Sequence, residues 1–270
     1  MSRYRLAIAL DPANWTPRDS LVYALVLTDG EEAAWRASKE FLHAVAAAPA
    51  GERPEKRHLT NAAGNVWDLP LALEATLADA KYYGGAGLNH DPDESFIADI
   101  YGLMHDPASA ERYITASDPA NLIARAETLL LQTYVALDRN DPTAAVAPME
   151  AFWKAWQADT DLQVAAFDNQ CFLGLAYGLS GRLADAEAFF RIAGPWNRCY
   201  AFHGDALAHA GDIEGANRVW SEGQRLGPDL PTIYLHRSLS EMSRGDLAAA
   251  ATDFAAANAS APHYADPLKA

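Results

Sequence analysis

The chain has no run of about 18 consecutive apolar residues, the length a helix needs to cross a bilayer. Its early apolar run, Leu6 to Leu10, is shorter than a secretory core segment and is closed by Asp11 and Pro12. The expectation is a soluble, cytoplasmic chain. Basic residues are also scarce, with 21 Lys and Arg against 36 Asp and Glu and a formal net charge of -15. Binding to phosphate backbones depends on clustered cations that release counterions, so neither nucleic acid nor an anionic membrane is an expected partner. There are only two cysteines, Cys171 and Cys199, with no CxxC between them, and both fall within helical patterns. The expectation is two buried thiols rather than a disulfide or redox pair. Catalytic signatures are missing as well: there is no HExxH, no GxSxG and no Cys beside a His. Gly84-Gly85-Ala86-Gly87 lacks the Lys and Ser/Thr of a phosphate loop and the third glycine of a dinucleotide fingerprint. No cofactor is expected.

What is present is a spacing. Gly174, Gly181, Ala186 and Phe190 recur as Gly204, Gly211, Ala216 and Trp220, a shift of 30 (204 − 174), and again as Ser238, Gly245, Ala250 and Phe254, a shift of 34 (238 − 204). A fixed period of this size marks a repeat protein. Each unit reads as two antiparallel helices. The first small residue and the Ala sit where the paired helices cross closely, and the aromatic fills the wedge between units. The middle Gly lies just past the first helix, where a left-handed residue reverses the chain cheaply. Pro228 and Pro262 stop the second helices by removing a backbone donor. No stretch alternates apolar and polar residues as a strand would, so the fold is expected to be all-α.

This pattern resembles the tetratricopeptide repeat, with Leu173, Gly174, Tyr177, Gly181, Ala186, Phe190 and Ala193 in the first unit. The second matches at Gly204, Leu207, Gly211, Ala216, Trp220 and Pro228, and the third at Tyr234, Ser238, Gly245, Ala250, Phe254, Ala257 and Pro262. The third departs at Arg237 and Glu241, where apolar or aromatic residues are usual. The resemblance covers residues 167–262 and implies a right-handed solenoid of helix pairs that acts as a protein-binding scaffold or adaptor. Its groove offsets fall on Asp168, Cys171, Phe172, Leu175 and Leu179, then on Arg198, Phe202, Asp205 and His209, and last on Thr232, Leu235, His236, Leu239 and Met242. Family members that grip terminal carboxylates use Lys and Asn at such places, and the Cys, Leu, Ala and Asp found here argue against that role. An apolar, aromatic groove of this kind suits an amphipathic helix or an extended apolar segment. Phe172, Phe202 and Leu235 could equally be core residues packed on neighbouring helices.

The rest of the chain divides around this region. Residues 1–47 read as an N-terminal helical segment that breaks at Asp29-Gly30, and residues 48–58 as a linker. Residues 59–120 form an irregular region of two or three helices, and residues 121–270 hold one degenerate and three clearer repeats followed by a partial or capping helix. Residues 3–15 read like the end of a repeat's second helix and 264–270 like the start of a first one, as expected of an excerpt from a longer array or of a short terminal cap; self-association through exposed repeat ends is one alternative function. A second alternative is an enzyme or metal site in residues 81–106, where His90, Asp91, Asp93, Glu94 and His105 offer nitrogen and oxygen ligands. Against it, Pro92 with its flanking acids is also a helix start, and Asp-Pro recurs before other helical segments where no His precedes it.

Overall fold

The computed structural model describes residues 2–11, 14–28, 30–66, 68–85, 91–104, 106–114, 122–165 and 169–260. The described chain is all helical, with no strand among those residues. The N-terminal helices are α1 (Ser2–Leu10), α2 (Thr16–Thr28) and α3 (Glu31–Ala47). Two short 3-10 turns, Ala50–Glu52 and Lys56–Leu59, occupy the expected linker. The irregular region contains four described helices rather than two or three: α4 (Thr60–Asn65), α5 (Leu69–Gly85), α6 (Asp91–Leu103) and α7 (Pro107–Ile114). The C-terminal part comprises α8 (Leu122–Asp138), α9 (Pro142–Ala158), α10 (Thr160–Ala165), α11 (Cys171–Leu179), α12 (Leu183–Phe190), α13 (Asn197–His209), α14 (Ile213–Leu226), α15 (Pro231–Ser243) and α16 (Leu247–Ser260).

The turns between paired helices follow from local chemistry. Gly181, Gly211 and Gly245 adopt φ of 81°, 88° and 81°, a region costly for residues with a Cβ. Gly30 does the same between α2 and α3, and between α8 and α9 the place is taken by Asn140 at φ 55°. Asn tolerates this conformation better than most side chains. The second helices α9, α14 and α16 then open on an aspartate whose carboxylate accepts a backbone N–H three residues on: Asp141 from Ala144, Asp212 from Gly215 and Asp246 from Ala249.

Packing inside the units differs in one respect from the sequence reading. At Gly174 the nearest neighbour is the ring of Phe190, into which a Cβ there would run. Gly178 makes a close approach between units: a Cβ there would collide with Ala206 of α13 and come within 3.8 Å of the Ala186 side chain. Gly204 likewise lies under Trp220, which is fully buried and donates its indole N–H to the Ala201 carbonyl at 3.1 Å. The departure at Arg237 in the third unit is also accounted for. Arg237 forms a two-pronged ion pair with the buried Asp253 of α16, so charge replaces apolar packing between α15 and α16.

The two cysteines correct a second expectation. Cys171 and Cys199 form a disulfide with a Cα–Cα distance of 5.1 Å, which leaves no free thiol. Their burial was anticipated; their pairing required α11 and α13 to lie side by side in parallel. The same alignment is seen in the pairs Phe172–Phe202 and Gly178–Ala206. One continuous apolar core runs from Ala63 on α4 to Ile233 on α15. A smaller one joins Trp35 of α3 to Leu230, Leu235 and Ala257 at the far end of the chain.

Candidate functional site

A cavity of about 510 Å³ opens along the inner faces of α8, α11, α13 and α15, with Gly102 and Leu103 of α6 completing its wall. Its size lies within the range of roughly 300–1,000 Å³ usual for ligand sites. Helix α11 packs on α13 and α13 on α15, and α9 lies between α8 and α11 in the chain and packs on both. The cavity carries a row of rings: Tyr134 and Phe172 have centroids 5.1 Å apart, Phe172 and Phe202 4.7 Å, and Phe202 and His236 5.4 Å. Such edge-on and tilted contacts match the charge distribution of aromatic rings. Leu175, Leu179 and Leu239 extend the apolar surface beside this row.

Polar groups are set into the row at defined places. Arg198 lies with its guanidinium 5.6 Å from the Phe172 ring centroid and donates to Asn169 Oδ1 at 2.8 Å. His236, 3 % exposed in its side chain, donates from Nδ1 to Asp205 Oδ2 at 2.5 Å. The buried Tyr134 hydroxyl donates to Asp99 Oδ1 at 2.8 Å, and burial, reinforced by the Asp99 charge, pushes its pKa well up. Behind it, burial and the same charge hold the Glu127 carboxyl well above the usual carboxylate range. Glu127 Oε2 is buried without a hydrogen-bond partner. At the ends of the helices the lining turns polar and charged, with Asp138, His209, Ser243 and Arg244.

Of the fourteen groove positions named above, ten line this cavity: Phe172, Leu175, Leu179, Arg198, Phe202, Asp205, His209, Thr232, His236 and Leu239. Cys171 is in the disulfide, and Asp168 lies outside the described residues. Leu235 is fully buried and packs with Trp35, and Met242 is 54 % exposed and outside the cavity. Phe172 and Phe202 each belong to the continuous core and also line the cavity. Sequence reasoning missed Tyr134 and Leu137 on α8. Asn140, at the turn where clearer repeats have Gly, was the available sign that α8 is a first helix. Gly102 and Leu103 carried no such sign.

In the alternative metal region, His90 and His105 lie outside the described residues. Asp91, Asp93 and Glu94 fall in the first turn of α6, where the Pro92 punctuation predicted a helix start. No group of three or more metal-ligating side chains occurs among the described residues. Among the same residues no helix is long and apolar enough to cross a membrane. No protein-family model matches the chain, and no curated protein matches it.

Proposed function

We propose that this chain is a tetratricopeptide-like solenoid whose inner face binds a segment of another protein. The observation that carries the reading is the convergence of ten groove positions, carried over from the family resemblance, on one cavity with an aromatic row along it. Burial of apolar side chains against this row supplies affinity, and the polar groups Arg198, Asp205 and His236 fix orientation. The net charge of -15 favours a segment that is neutral or basic outside its apolar anchor. The disulfide between Cys171 and Cys199 supports residence in an oxidising compartment in place of the cytoplasm, because such bonds are rare where thiols are kept reduced.

The test is selection from a displayed peptide library, with the wild-type protein beside Leu179→Asp and Leu239→Asp. Both side chains line the cavity and are only partly buried, so a charge can be placed there without opening the core. Enriched peptides should carry aromatic or branched apolar anchors and should lose at least tenfold in affinity for both variants while circular dichroism is unchanged. Selection that yields no peptide sensitive to either variant would overturn the reading.

A further inference from the structure

Helix α3 is packed onto the other end of the chain through side chains alone. Trp35, 1 % exposed, sits among Leu230, Leu235 and Ala257. Glu31 Oε2 accepts from the backbone N–H of Asn197 at 2.5 Å, and Lys39 Nζ donates to the Ser260 carbonyl at 2.8 Å. One helix thus places an acid on the first turn of α13, which has no side-chain cap of its own, and a cation on the last carbonyl of α16. Both charges match the ends of the helix dipoles they meet. The remaining contact, Arg36 to Asp229 at 3.0 Å, joins two side chains that are each more than half exposed.

Two buried polar groups in this contact are left unsatisfied. The Trp35 Nε1–H is buried without a hydrogen-bond partner, and so is Asn197 Oδ1. Each would regain a partner from water on separation, which offsets part of what burial of the indole contributes. The exposed ion pair adds little and is screened by salt. The contact also falls where it can matter: Asn197 precedes Arg198, Leu230 and Pro231 precede Thr232, and Leu239 touches both the Trp35 cluster and the cavity.

We propose that α3 is a clasp that regulates the cavity, holding the ends of α13 and α15 in the arrangement seen here and, on release, letting the cavity widen around an occupant. This deepens the binding reading above and rests on it for the identity of the site. Hydrogen exchange on the full-length chain tests the clasp itself. In Trp35→Ala, amides in the first turns of α13 and α15 and the last turn of α16 should exchange at least tenfold faster, while those of α11 and α12 keep their rates. Arg36→Asp should give a smaller acceleration at the same sites, reversed by adding Asp229→Arg. Equal acceleration in every helix would make Trp35 an ordinary core residue and overturn the clasp, as would unchanged rates at the three turns. Fluorescence of the apolar dye anilinonaphthalene sulfonate then reads the cavity. It should rise at least threefold in Trp35→Ala and fall back when Leu179→Asp is added. A local exchange response without a dye response keeps the clasp and rejects its control of the cavity.

Discussion

Trp220 donates its indole N–H to the carbonyl of Ala201 at 3.1 Å and lays its ring over Gly204, so the crossing of α13 and α14 is fixed by one aromatic on a surface bare of side chain. A methyl group on Gly204 has no room beside the indole. Gly204→Ala is expected to lower stability by about 1–3 kcal/mol, even though Ala is the better helix former. Urea unfolding measures it, and an unchanged or higher midpoint would show that the crossing can widen freely.

Removing the covalent bond between α11 and α13 should be felt through the unfolded state. Cys171 and Cys199 are 28 residues apart, and closing a loop of that size limits the unfolded chain by about 3–4 kcal/mol in the chain-entropy account. The double variant Cys171→Ser, Cys199→Ser is expected to lose stability of that order. Thiol titration of the wild type should find no reactive thiol until the protein is both unfolded and reduced.

The pH dependence of stability should carry a mark of Asp19. Burial raises its pKa from 3.8 to about 6 despite the hydrogen bond from Asn61. A carboxyl whose folded pKa lies above its unfolded one binds its proton more tightly when folded. Its contribution is therefore fully present below pH 3.8 and is lost as pH rises through about 6. The loss is on the order of 2–3 kcal/mol. Asp19→Asn should raise the melting midpoint at pH 7.5 and have a smaller effect at pH 4.5. An equal shift at both pH values would remove the titration argument.

Phe202 is the point at which core and cavity coincide. It is 5 % exposed and lies between Phe172 and His236. Phe202→Ala is expected to cost about 3 kcal/mol or more in stability, because it leaves a void in the ring row. Leu179→Ala, at the more open side, should cost under about 1.5 kcal/mol, since little of its cavity is closed over. Thermal melts of the two variants in parallel check the contrast. If their midpoints agree, the cavity wall is uniform and the ring row has no special weight.

The parts of this fold legible in the sequence are those specified by neighbours in the chain. Gly181, Gly211 and Gly245 announce left-handed turns because few other residues adopt them cheaply, and the small-residue spacing announces helix pairs. The groove positions came from the resemblance to the tetratricopeptide repeat and not from the spacing alone. What escaped was set by distant packing. Gly178 is one glycine among several until Ala206 is brought against it, and the disulfide exists only once two first helices lie in parallel. Leu235 reads as a groove residue by offset, yet Trp35 covers it from a helix that no repeat pattern connects to it.

The partners of α3 also arrive late. Arg36 and Asp229 are 193 residues apart, and a ribosome adding roughly 5–20 residues per second needs on the order of 10–40 s to supply the second after the first. Throughout that interval Trp35 has no socket, and the N-terminal helices wait with an indole exposed. A nascent chain of this kind is held open to chaperones and to its neighbours on the same message until its last helices emerge.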